Sequence, residues 1–77
     1  MKNFYSTWNQ ISDTISAAEF AANNVRSLRL LSLKELINVN QVVCTACELA
    51  ADNNDLETFF HLCDTRDEIS IIYDAKI

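Results

Sequence analysis

The sequence predicts an all-α domain, and three observations predict it. Across 77 residues there is neither a glycine nor a proline, the residues on which tight β-turns, phosphate loops and zinc knuckles lean. Apolar residues step by three and four along three separate stretches, the repeat of an amphipathic helix. Paired asparagines separate those stretches, and asparagine tolerates the left-handed backbone that a helix end often needs. The expected architecture is a small three-helix bundle, or a helical hairpin with an additional helix. It forms one domain, residues 1–77, with helices near 3–24, 26–53 and 55–75.

The first stretch steps through Phe4, Trp8, Ile11, Ile15, Ala18, Ala22 and Val25, a heptad pattern over three repeats. Its alanines invite a neighbouring helix to approach near Ala18 and Ala22. Ser16 and Glu19 match a capping box, but the unbroken seam argues for one continuous helix through residue 24. Asn23-Asn24 is the first turn. Val25 to Leu31 either begins the middle helix or forms a short helix that ends before Ser32, and the first reading is adopted.

The middle stretch, Leu30 to Asn54, is the expected spine. Its seam runs Leu30, Leu33, Ile37, Cys44, Cys47 and Ala51, with Asn40 counted in. Ser32 and Glu35 form a second capping-box pattern near its start. A polar Asn40 in the seam fixes register as in coiled-coil packing, or else the stripe drifts and Val39 or Val43 faces inward. Asn53-Asn54-Asp55 is the second turn, with Asn54 and Glu57 spaced as a cap. The last stretch steps through Phe59, Leu62, Arg66, Ile69, Tyr73 and Ile77. Residues 69–77 also alternate apolar and polar with a period of two, the signature of a strand. A lone strand has no partner inside a helical chain, so the helical reading is adopted.

Composition narrows function mostly by exclusion. Net charge is −5, from eleven acids against six lysines and arginines. Non-specific nucleic-acid binding and anionic membrane binding both need an excess of basic residues, so neither is expected. Arg26, Arg29 and Lys34 make only a small basic group without interleaved aromatics, read as a solvated face. No apolar run approaches the 18 residues of a membrane span. The N-terminal segment lacks the continuous apolar core of a secretory signal. Three cysteines, an odd number, are read as reduced thiols in a cytoplasmic setting.

Chemistry-bearing groupings are few. Cys44, Cys47, His61 and Cys63 have the ligand types of a Cys3His zinc site. His61 and Cys63 are two apart and point in different directions on a helix. The cysteines are therefore expected as small core hydrophobes, with no metal or other cofactor. The single histidine has no orienting third group, so no enzyme is expected.

Eight of the eleven acids lie between Glu48 and Asp74. Asp55 and Glu57 suit a helix N-terminus. Asp64, Asp67, Glu68 and Asp74 are not explained that way and are the candidate partner-binding residues, as an acidic face for a basic protein. Trp8 and Tyr5 join them, because these residue types are enriched at interface hot spots. A chain this short buries only about 60% of its unfolded surface, yet its helices carry apolar residues beyond one stripe. Self-association, as a homodimer or higher homo-oligomer, or an obligate partner is expected. The functional expectation is a small acidic protein-interaction module, a regulator or inhibitor that occupies a partner's surface. A phage-type inhibitor of a nucleic-acid-binding enzyme is one such protein. The alternatives are a structural subunit of a helical assembly and, third, the Cys/His zinc domain.

Overall fold

The structure, a computed structural model, describes residues 3–77. Among the described residues the chain is all-α, with no strand. Five helices follow one another: α1 (Phe4–Trp8), α2 (Thr14–Ala22), α3 (Val25–Leu28), α4 (Leu33–Asp52) and α5 (Leu56–Lys76). The two long helices form the hairpin on which the rest packs. The radius of gyration is 11.8 Å, close to the roughly 11.5 Å of a folded chain of this length. One hydrophobic core joins residues of all five helices and the turn at Leu31.

The single helix expected over 3–24 is broken. Asn9 to Asp13 leaves the helix, and α2 restarts where the Asp13 carboxylate accepts the Ser16 backbone N–H at 2.9 Å. Asp13 supplies the cap three residues before Ser16, and the Ser16–Glu19 box is not used. The break turns α1 so that Trp8 enters the core, only 6% exposed. Phe4 then stacks on Phe20 with ring centroids 5.3 Å apart. Ala17, Ala18 and Ala21, all buried, let α2 lie close against α4.

The helix expected over 26–53 is also divided. The chain leaves the α3 helix at Arg29, and the capping box expected at Ser32 starts α4. Glu35 N–H donates to Ser32 Oγ at 3.2 Å, and Ser32 N–H donates to the Glu35 carboxylate at 2.9 Å. Two of the helix's orphan donors are satisfied locally, so the start of α4 is set by four residues.

Along α4 the buried residues are Leu36, Val39, Val43, Ala46, Cys47 and Ala50. The expected seam was therefore turned by one residue, about 100° around the helix. Leu30 is 87% exposed and Ile37 is 43% exposed, while Leu36, Val39 and Val43 are fully buried. This is the drifted stripe, with Val39 and Val43 both inward: its row carries no polar side chain, and Asn40 lies half-buried beside it.

The α4–α5 turn uses asparagine as other proteins use glycine. Asn54 has φ 57°, the one left-handed residue among those described. Its N–H donates to Ala51 O at 3.1 Å, and Asp55 N–H donates to Ala50 O at 2.9 Å. This is the Schellman closure of a helix. The cap of α5 is Asp55, whose Oδ1 accepts Thr58 N–H at 3.3 Å, in place of the expected Asn54. At the first turn neither Asn23 nor Asn24 is left-handed. There Asn24 Nδ2 donates to Phe20 O at 2.8 Å and closes the end of α2 by its side chain.

α5 stays helical through Lys76, so the strand reading of residues 69–77 is set aside. Its buried row is Leu62, Thr65, Ile69 and Ile72, while Arg66 of the expected seam lies exposed. Thr65 is accommodated because its hydroxyl donates to His61 O at 3.2 Å. None of the helices among the described residues is long and apolar enough to cross a membrane.

Candidate interaction surface

The fold uses one face of α5 against α4, α2 and α3 and leaves the opposite face open. Helical spacing puts Phe60, Asp64, Asp67 and Ile71 on that open face, in steps of four, three and four, with Glu68 beside them. All five are exposed. Phe60 is 61% exposed and Ile71 63%, two of the large apolar side chains that the fold leaves in contact with water. They sit about 16 Å apart along the axis and bracket the three acids. Phe60 is propped edge-on by the half-buried Phe59, centroids 5.6 Å apart. α5 therefore carries apolar residues on both faces, one set spent on the core and one in contact with water.

Asp74, the fourth acid of the expected site, lies around the corner. With Ser70 and Tyr73 it lines a groove of about 440 Å³ whose other wall is α4, at Ile37, Asn40 and Gln41. Apart from Asp74, these groove residues are not marked as a site by the sequence. They meet only through the α4–α5 register, which no local signal encodes. The Asn40 amide oxygen at this place is buried and has no hydrogen-bond partner.

The two aromatic residues expected at a partner surface serve the core instead. Trp8 is buried, with its indole N–H unpartnered. Tyr5 is half-buried, tilted against Trp8 at 5.4 Å, and its hydroxyl accepts Asn38 Nδ2–H at 3.0 Å. Together they fasten α1 to α4, so the structure separates Trp8 and Tyr5 from the four acids.

The basic residues Arg26, Arg29 and Lys34 are all exposed. Arg29 lines a second, more apolar groove of about 370 Å³ with Ile71, Ile72, Ala75 and Lys76.

The cysteines gather where α4 faces α5. Cys47 is buried, and Cys44 and Cys63 are half-buried. Burial pushes the Cys47 thiol up to about 11, reinforced by Cys63 beside it, while the Arg66 guanidinium pulls the other way. His61 is exposed. Among the described residues no three His, Cys, Asp or Glu side chains are arranged to hold a metal ion. Cys44, Cys47, His61 and Cys63 thus do not converge as a four-ligand site. Compared with protein-family models, curated proteins and solved structures, the chain matches none at a significant level.

Proposed function

We propose that this protein is a small acidic interaction module that regulates or inhibits a basic, nucleic-acid-binding protein by occupying its surface. The observation that carries the reading is the outward face of α5, where Phe60 and Ile71 stand exposed on either side of Asp64, Asp67 and Glu68. The two kinds of residue have separable jobs. Burying the exposed part of Phe60 or Ile71 in a partner contributes about 1–2 kcal/mol each. The exposed acids contribute less affinity, but they steer encounter with a positive surface and make it salt-dependent. The net charge of −5 extends the same field over the whole molecule.

Affinity capture from cell lysate tests this reading, with the wild type, Phe60→Ala, and a charge reversal of Asp64, Asp67 and Glu68 to lysine. Capture of one basic protein is expected at low salt, with roughly tenfold weaker retention for Phe60→Ala. The charge reversal is expected to lose the salt-sensitive part. Retention of the same protein by all three baits would remove the reading.

A second reading, a subunit of a homo-oligomeric assembly, draws on Leu30, 87% exposed, and on Ile71 in the groove flanked by Arg29 and Lys76. Capture of only its own copies, equally at low and high salt, would favour it.

A further inference from the structure

All three cysteines of the chain come together between two helices, although they are spread over twenty positions of sequence. The sequence between Cys44 and Ala51 is small-residue rich, with Ala46, Cys47 and Ala50 facing inward. Small side chains let α5 approach α4 closely, which a bond between their sulfurs requires. The Asn54 turn leads α4 back into α5, and in that register Cys47, a core residue, and Cys63, packed against the same core, lie near one another between the two helices. Cys44 lies one turn before Cys47 on the same helix and is the third member. The proposed docking face does not use these groups.

We infer that Cys47 and Cys63 form a disulfide-forming pair, a covalent modification site that takes a low-molecular-weight disulfide of the glutathione type as oxidant. The roles of the two thiols differ by access. Cys63 is half-buried and within reach of solvent, whereas Cys47 is 3% exposed. Cys63 loses its proton and attacks one sulfur of the oxidant, whose S–S bond breaks and releases one thiolate, which is protonated. The product is a mixed disulfide on Cys63. Cys47 then loses its proton and attacks the Cys63 sulfur, and the second oxidant half leaves as a thiol. Two protein thiols are oxidised to one S–S bond, and one external disulfide is reduced to two thiols. Arg66, close enough to Cys47 to favour its thiolate, assists the second step. The burial of Cys47 keeps its thiol protonated and makes that step slow. The pair is therefore reduced in a reducing compartment and closes on sustained oxidation. The bridge ties the middle of α4 to the middle of α5 and closes a loop of the unfolded chain.

The test is incubation of the full chain in glutathione buffers of increasing oxidised fraction, followed by alkylation under denaturing conditions and mass spectrometry. The expected result is a monomer that loses two of its three thiols and two hydrogens of mass, reversibly with a dithiol reductant. Its thermal midpoint is expected to rise by on the order of 10 °C. Cys44→Ser is expected to close the same bridge. Cys47→Ser is expected to carry glutathione on Cys63 without bridging, Cys63→Ser is expected neither to bridge nor to carry glutathione on Cys47, and circular dichroism checks that each is folded. Cys63 is only half-buried, so its serine variant keeps the test decisive if Cys47→Ser unfolds. Three outcomes would each overturn the inference: a bridge that persists in Cys47→Ser, covalent dimers as the main product, and full retention of three thiols where the urea-unfolded chain oxidises.

Discussion

Truncating Leu36 and Ile37 in turn separates the observed packing of α4 from the seam that sequence periodicity favours. The two residues are neighbours on one helix with the same propensity context, so differences between them report burial. Leu36 is fully buried and Ile37 is 43% exposed. Leu36→Ala removes core volume that the surroundings refill only in part, a loss of about 2–5 kcal/mol. Ile37→Ala surrenders only the shielded part of its side chain, about 1 kcal/mol. A domain of this length has a total stability of roughly 4–12 kcal/mol, so the first variant sits near the unfolding threshold and the second does not. Urea unfolding followed by far-ultraviolet circular dichroism reads both, with the slope m checked for constancy so that midpoint shifts mean stability. Equal losses, or a larger loss for Ile37→Ala, would refute the rotation of α4 described above.

Three other expectations test local features. Asn40→Leu removes a buried amide oxygen that has no partner, so its thermal midpoint is expected to rise, with about 1 kcal/mol of added stability; a loss of that size would mean the amide is satisfied in solution. Asn54→Val is expected to cost about 1–2 kcal/mol in the same assay, because a β-branched residue resists the left-handed backbone, whereas Asn54→Gly is expected to match the wild type. The hydrogen bond from Ser16 holds the Asp13 carboxyl below its ordinary value of 3.8. A lowered folded value means that the cap stabilises above the unfolded pKa and fades as pH falls through the folded one. Acid titration monitored by circular dichroism is therefore expected to show the wild-type advantage over Asp13→Ala shrinking below about pH 4.

What could be read from the sequence was what is decided locally. Ser32 and Glu35 are three residues apart and cap α4 as their pattern implies. The absence of glycine and proline points to helices, and α5 follows through Lys76 despite its alternating tail. The break after Trp8 is marked by the Asp13 cap, a single side chain that the unbroken heptad seam through Ile11 and Ile15 outweighs in the sequence. The row that α4 buries depends on two partners at once, α2 and α5. Periodicity offers two rows one residue apart, and nothing local to α4 chooses between them. The acids of α5 were visible as a group, and the structure leaves Asp64, Asp67 and Glu68 exposed on one side. Their apolar neighbours Phe60 and Ile71 are legible as residues beyond the narrow stripe, but the sequence does not say which such residues stay exposed, since Leu36 and Val43 also lie off the expected stripe and are buried. The groove beside Asp74 and the meeting of Cys47 with Cys63 are both products of hairpin register. The spacing of Cys44, Cys47 and Cys63 along the chain does not encode that register.

The central claim is that the outward face of α5 is where a basic partner sits. The most direct measurement places a photo-crosslinking side chain at Asp67 or Ile71, with Asn23 at the exposed end of α2 as the control position, and irradiates each protein in lysate at low and high salt. The account predicts one basic adduct from the two α5 positions, stronger at low salt, and none of it from Asn23. Equal yields from all three positions, or adducts only with the protein's own copies, would contradict it.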